Sequence, residues 1–174
     1  VEGKTISSGN ITPFTHQVIN EKGGSFDGCN MAFRKSVLLK FGGYDTSYPM
    51  HNEDLDFAAK VLENGKIKFN PNMIVMHPPY EMTFKSRMKR IKVHWADFKF
   101  YRKYPSFFEK QKGGDVYKVL FFNFMFKQPL RIFYNFRNYF LNNPLQVIKF
   151  IYIILLERIY LIFSLSKSKI EGKY

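Results

Sequence analysis

Apolar positions change their period several times along the chain, and each change marks an element. From Asn52 onward Leu55, Ala58, Ala59 and Leu62 recur at helical spacing, which predicts a helix capped by Asn52 and ended by Gly65. Glu53 and Asp54 fall in its first turn, where the helix dipole favours anions. Upstream, Asn30–Arg34 reads as a short buried strand, and Ser36–Phe41 as a brief helix closed by Gly42-Gly43. The Ser/Gly/Thr-rich stretch Thr5–Thr15 predicts loop or edge, and Tyr44–Asn52, which contains Pro49, a turn-rich loop. Lys66–Asn70 alternates as a strand, Pro71-Asn72 makes a turn, and Met73–Met76 is a wholly apolar strand running into His77-Pro78-Pro79. Strand, helix and strand in this order predict an α/β architecture.

Beyond residue 80 the pattern becomes helical and aromatic. Thr83–Tyr104 predicts a basic helix with Met88, Ile91, Trp95 and Phe98 as its apolar stripe, stopped by Pro105. Gln111–Gly114 reads as a hinge, and Pro129 and Pro144 punctuate the remainder of the chain. Leu145–Leu165 is apolar enough to raise the question of a membrane span, but Lys149, Glu157 and Arg158 interrupt it. On a helical wheel Gln146, Lys149, Glu157 and Ser164 share one narrow side. That favours a helix lying in a membrane interface or on a partner over a true span, with an ordinary buried helix as the other alternative.

Charge sharpens the division. The first 80 residues of the 174 balance eight basic against eight acidic side chains, whereas residues 81–174 carry nineteen basic and six acidic ones, and so the whole net charge of +13. Nine aromatics precede position 81 and twenty-three come after it. Three segments result: a balanced globular part at 1–80, a basic amphipathic helix and linker at 81–112, and an aromatic, apolar helical tail at 113–174. A hydrophobic share of 45% excludes a wholly disordered chain, and the single Cys29 excludes an internal disulfide or a thiolate zinc cluster. Basic and aromatic residues together could serve nucleic acid. However, the positive charge is interleaved with aliphatic runs that need burial and no nucleic-acid motif occurs, so nucleic acid is not an expected partner. No secretory leader is visible, and the opening Val1 suggests a piece of something longer.

Candidate chemistry lies in the first segment. Carboxylates at 53 and 54 sit where a loop becomes a helix, and an Asp so placed can take a hydroxyl proton as a general base. His77, at a strand end before two prolines, suits a metal ligand or proton carrier. Singly, each has an ordinary explanation: dipole partners, a hydrogen-bonded surface histidine, a glycine cap.

Their order is more specific. Asp27-Gly-Cys-Asn-Met-Ala-Phe-Arg34, Phe41-Gly-Gly-Tyr-Asp45, Asn52-Glu-Asp-Leu-Asp-Phe57, Glu63-Asn-Gly-Lys-Ile-Lys68 and Met73-Ile-Val-Met-His77 together resemble the acceptor-side half of family 2 glycosyltransferases, over roughly residues 24–105. The resemblance implies the C-terminal part of a GT-A, Rossmann-like α/β domain, succeeded here by a mainly α-helical basic and apolar tail. It implies an inverting enzyme that moves a sugar from a nucleotide-sugar donor to a saccharide or lipid-linked acceptor. Asp54 would be the catalytic base. Glu53, Asp45, Gly43, Asp27 and Asn30 would contact acceptor and donor sugar, and His77 would complete a site for Mn2+ or Mg2+ whose other ligands lie in an upstream half. The family's Asp-x-Asp motif, its first strand and the loop that grips the nucleobase are absent from this chain, Thr46 stands where an acidic residue often succeeds the Gly-Gly-aromatic-Asp turn, and Lys60 stands where an Arg is frequent. The tail implies a cytoplasmic enzyme held peripherally on the inner face of the cell membrane by its anionic surface, with a homo-oligomer possible. The alternative from another class is a non-catalytic membrane-docking or oligomerisation module derived from such an enzyme.

Overall fold

The computed structural model describes residues 1–48, 51–91 and 94–170, with side chains as far as 163. It is mixed α/β and 58% helical, with two small sheets. Two compact units divide it: Val1–Asn10 with His16–Tyr80, and Ile11–Thr15 with everything from Glu81 onward.

The first unit is built on two parallel strands. β1 (Glu2–Ile6) pairs with β3 (Phe69–Met76), so a strand begins ahead of the stretch expected to be loop from Thr5. The expected strand–turn–strand at 66–76 is one bulged strand. Asn70 pairs with Gly3 and Ile74 with Lys4, which leaves Pro71, Asn72 and Met73 as excess chain. Proline has no N–H to give a ladder, so the strand steps around it instead of turning back. The side chain of Asn30 fills the step, its Nδ2 donating to Lys4 O (2.9 Å) and Met73 O (3.1 Å). A Cβ on Gly3 would sit 2.5 Å from that amide and closer still to Met73 O, so only glycine admits Asn30 here.

The other edge of β1 carries single antiparallel bridges, Thr5 to Asn20 and Glu2 to Met31. Asn30–Arg34 is therefore not a buried strand. A 3-10 turn, Gly28–Asn30, and one bridge replace it, and Ala32 and Arg34 are exposed. The buried Glu2 carboxylate accepts from Gly24 N (2.6 Å), Phe26 N (2.5 Å) and Asn20 Nδ2 (2.7 Å), which holds the 20–26 loop against the strand.

Helix α1 (Lys35–Lys40) ends at Gly42 and Gly43, with φ of 74° and 68°. Helix α2 (Glu53–Asn64) keeps the expected start and stop, but its buried face is Leu55, Phe57, Ala58, Ala59 and Val61, with Leu62 only half-buried. Asp56 is buried on the same helix, accepting from Tyr48 Oη (3.0 Å) and paired with Lys60 (3.0 Å). The short strand β2 (Thr15–His16) pairs with β4 (Tyr80–Glu81).

The second unit is helical. The single helix expected over 83–104 is seen as α3 (Phe84–Ile91) and α4 (His94–Lys103); Lys92 and Val93 lie outside the described residues. The face buried there is Ile91, Ala96, Asp97 and Phe100, while Trp95 and Phe98 are half-buried. Pro105 opens α5 (Pro105–Lys112), which Gly113 closes at φ 79°. A π-helical segment, Lys118–Lys127, leads into α6 (Gln128–Asn135), α7 (Arg137–Asn142) and α8 (Pro144–Ile170). Phe14, Phe140, Phe150 and Ile153 form a core, with Phe140 and Phe150 ring centres 5.1 Å apart. Phe14 thereby draws residues 11–15 into this unit. No described helix is long and apolar enough to cross a membrane.

The periodicity of α8 leaves open which side faces in, and Glu157, on its polar side, is buried. Its Oε1 accepts from Arg87 (3.1 Å) on α3, and its Oε2 from Arg158 (2.7 Å). Arg158 also donates to Phe124 O (2.7 Å) and lies over the Phe124 ring at 4.2 Å. Burial, seconded by the charge of Arg87, pushes the Arg158 guanidinium below its ordinary pKa, and Glu157 pulls it back. Lys149 stays exposed beside Glu81 (3.7 Å), and Ser164 lies beyond the described side chains.

Candidate active site

Two backbone segments meet at Asp54. The first comes off the Glu2-anchored loop through Phe26, which holds φ 57° immediately before Asp27 and Gly28. The second is the mouth of α2, where the buried Asn52 holds φ 68° immediately before Glu53 and Asp54. Among the described residues these are the two non-glycine positions with positive φ. Such conformations are strained and persist only where surrounding contacts impose them. They converge on a single hydrogen bond, Gly28 N to Asp54 Oδ2 at 2.9 Å. Asp54 Oδ1 accepts from Leu55 N at 2.8 Å. Two backbone donors thus fix the carboxylate in space, and each oxygen keeps a further lone pair. A Cβ on Gly28 would lie 3.4 Å from Asp54 Oδ2, so the 27–30 turn runs directly against the acid.

Tyr44 completes the group. Its ring leans on the fully buried Phe57, centroids 5.3 Å apart, and Phe57 in turn meets Phe33 edge-on at 4.8 Å. Burial raises the Tyr44 phenol above its ordinary pKa, and the negative charges of Asp54 and then Glu53 push it the same way. The phenol therefore stays protonated, and a hydrogen-bond donor, to higher pH than an ordinary tyrosine. The family resemblance puts Tyr44 in a turn expected to wall the acceptor pocket, but an aromatic residue in a loop ahead of the acids carries no signal of their effect on its phenol.

The remaining candidates divide. Glu53 has a buried Oε2 that accepts no hydrogen bond. Gly43 needs its left-handed backbone, yet a Cβ there would meet open space, so it shapes the turn that presents Tyr44. Asp45 spends its Oδ1 locally, accepting from Ser47 N (3.0 Å) and from the Ser47 hydroxyl. Asn30 is committed to the β1–β3 step, so its amide is a latch under the site. Asp27 caps the 3-10 turn, with its carbonyl accepting from Asn30 N at 3.0 Å.

His77 stands at the carboxyl end of β3, where its N–H donates to Ile6 O at 2.8 Å. Ligands of parallel sheets gather at such strand ends. Its Nδ1 is buried without a hydrogen-bond partner, as is the Oγ of Ser7 at the neighbouring end of β1. Neither a hydrogen bond nor an ion pair joins His77 to Asp54 or Glu53. Among the described residues no group of three His, Cys, Asp or Glu side chains is placed to hold a metal. Comparison with family models, with characterised proteins and with solved structures finds no match to this chain.

Proposed function

We propose that the first unit is the acceptor-side half of an inverting, nucleotide-sugar-dependent glycosyltransferase, with Asp54 as general base. One observation carries the reading: a carboxylate at a helix mouth, pinned by two backbone N–H groups between two strained backbone positions. An acid that is only a dipole partner needs neither the strain nor the fixed orientation. In this reading Asp54 takes the proton of an acceptor hydroxyl as that oxygen attacks the anomeric carbon in line, displacing a nucleoside diphosphate from the opposite face. The Tyr44 phenol donates to the acceptor and orients it. Glu53 is a positioning residue for the helix mouth.

The donor would be held largely by an upstream half. The β1–β3 pair leaves Ile74 and Met76 exposed, although parallel sheets are ordinarily covered on both faces, and such a half would cover them. A divalent cation, Mn2+ or Mg2+, would supply charge to the leaving diphosphate. The unpartnered, buried His77 Nδ1 suits one ligand of such an ion, and the other ligands would come from the donor-binding half. In this reading the enzyme works at the inner face of the cell membrane, where its acceptor would be lipid-linked or a surface saccharide. A second reading, a docking module without catalysis, draws on the outward apolar face of α8.

Product stereochemistry tests the reaction class. With the full-length protein, a nucleotide-sugar donor and a saccharide acceptor, single displacement requires inversion at the anomeric carbon, seen by proton NMR before mutarotation. Retention would contradict the assignment of Asp54 as a base for direct attack.

A further inference from the structure

Side chains of α8 sort by direction. Gln146, Phe150, Ile153, Glu157 and Leu161 recur at three- and four-residue steps and turn inward, with Arg158 buried beside Glu157; Leu161 is 2% exposed. Leu145, Ile148, Ile151, Leu155, Ile159 and Ile162 recur on the same steps and turn outward, with Ile148 at 66% and Leu155 at 56% exposed. A soluble amphipathic helix does the reverse, hiding its apolar stripe and wetting its charges. Here the buried ion pairs of Glu157 with Arg87 and Arg158 hold the polar side in, which fixes the apolar side out. Exposed apolar side chains scattered singly are ordinary; a continuous stripe along more than four helical turns is not.

Charge identifies the occupant. Between residues 118 and 163 the one acid is Glu157, which is buried, while Lys118, Lys127, Arg131 and Arg137 are exposed, and Lys149 is exposed beside Glu81. Two of these cations lie over exposed aromatic rings, Lys127 over Phe122 at 5.2 Å and Arg137 over Tyr134 at 5.1 Å. Aromatic rings paired with cations, Tyr134 with its polar hydroxyl above all, suit the boundary between acyl chains and headgroups. A second copy of the chain would bring like charges together across the stripe, which disfavours self-association.

We infer that the outward face of α8 is a docking surface for an anionic phospholipid bilayer, on which the helix lies flat with its apolar stripe among the acyl chains and the lysines and arginines at the phosphates. The inference stands independently of sugar transfer, because binding requires no nucleotide sugar.

Vesicle sedimentation with the full chain tests it, using phosphatidylcholine alone and phosphatidylcholine mixed with phosphatidylglycerol. Wild type is expected to partition onto the anionic vesicles at least about tenfold more strongly than onto neutral ones, and to release as salt is raised. The Ile148→Asp/Leu155→Asp variant, altered at exposed positions, should lose about tenfold or more of that binding, with its circular dichroism unchanged. Leu39→Asp, at an equally exposed apolar position on α1, should bind as wild type. Wild type that stays in the supernatant with both vesicles overturns the proposal, as does an Ile148→Asp/Leu155→Asp variant that binds undiminished. A concentration-dependent dimer that this variant abolishes, without vesicle binding, would assign the face to a second copy instead.

Discussion

Asn30 shows how much one side chain can organise. Its amide satisfies two strand carbonyls across the step at Pro71, and it fits only because Gly3 has no Cβ. Truncating it strips both carbonyls of a buried donor, so Asn30→Ala should lower stability by about 1–3 kcal/mol. Denaturant unfolding checks this, and an unchanged midpoint would show that the latch is incidental. The role is not legible in the sequence. Asn30 is quoted easily as part of a motif, but which carbonyls it meets depends on a bulge that proline chemistry permits without dictating. Asp54 is more legible, since acids after an N-cap announce their position; the partner that fixes it, Gly28 N, lies twenty-six residues away and leaves no trace in the pattern.

At the scale of elements, local signals serve well and side-chain direction poorly. α1 ends ahead of Gly42-Gly43 and α2 runs from Asn52 to Gly65 as the pattern places them, although the Asn52 side chain makes no cap hydrogen bond. The periodicity of α8 shows a helix with one polar side, yet it cannot say which side faces in. Glu157 decides that by standing between Arg87 and Arg158. Removing its charge leaves two buried guanidinium groups uncompensated, and breaking a buried pair in this way costs about 3–5 kcal/mol. Glu157→Gln should therefore unfold the helical unit well before the wild type in urea, as read by the ellipticity of its helices. A loss under about 1 kcal/mol would show the pair to be effectively solvated, as surface pairs are.

Across the whole chain, the proposed chemistry and the proposed docking fall in different units. The first unit balances its charges and holds the strained backbone, the pinned carboxylate and the raised phenol; the second holds the excess cations and the outward apolar stripe. That division is visible in the sequence as a change in composition at residue 80. Residues 11–15 cross it because Phe14 packs with Phe140 and Phe150, a long-range contact that no local count reveals. The central claim concerns one proton, and the turnover of Asp54→Asn in the full-length protein tests it most directly, with donor affinity measured alongside. An amide keeps the shape and loses the base. Transfer should fall about 10²–10⁴-fold while donor binding is retained. Turnover within a few-fold of wild type would contradict the account.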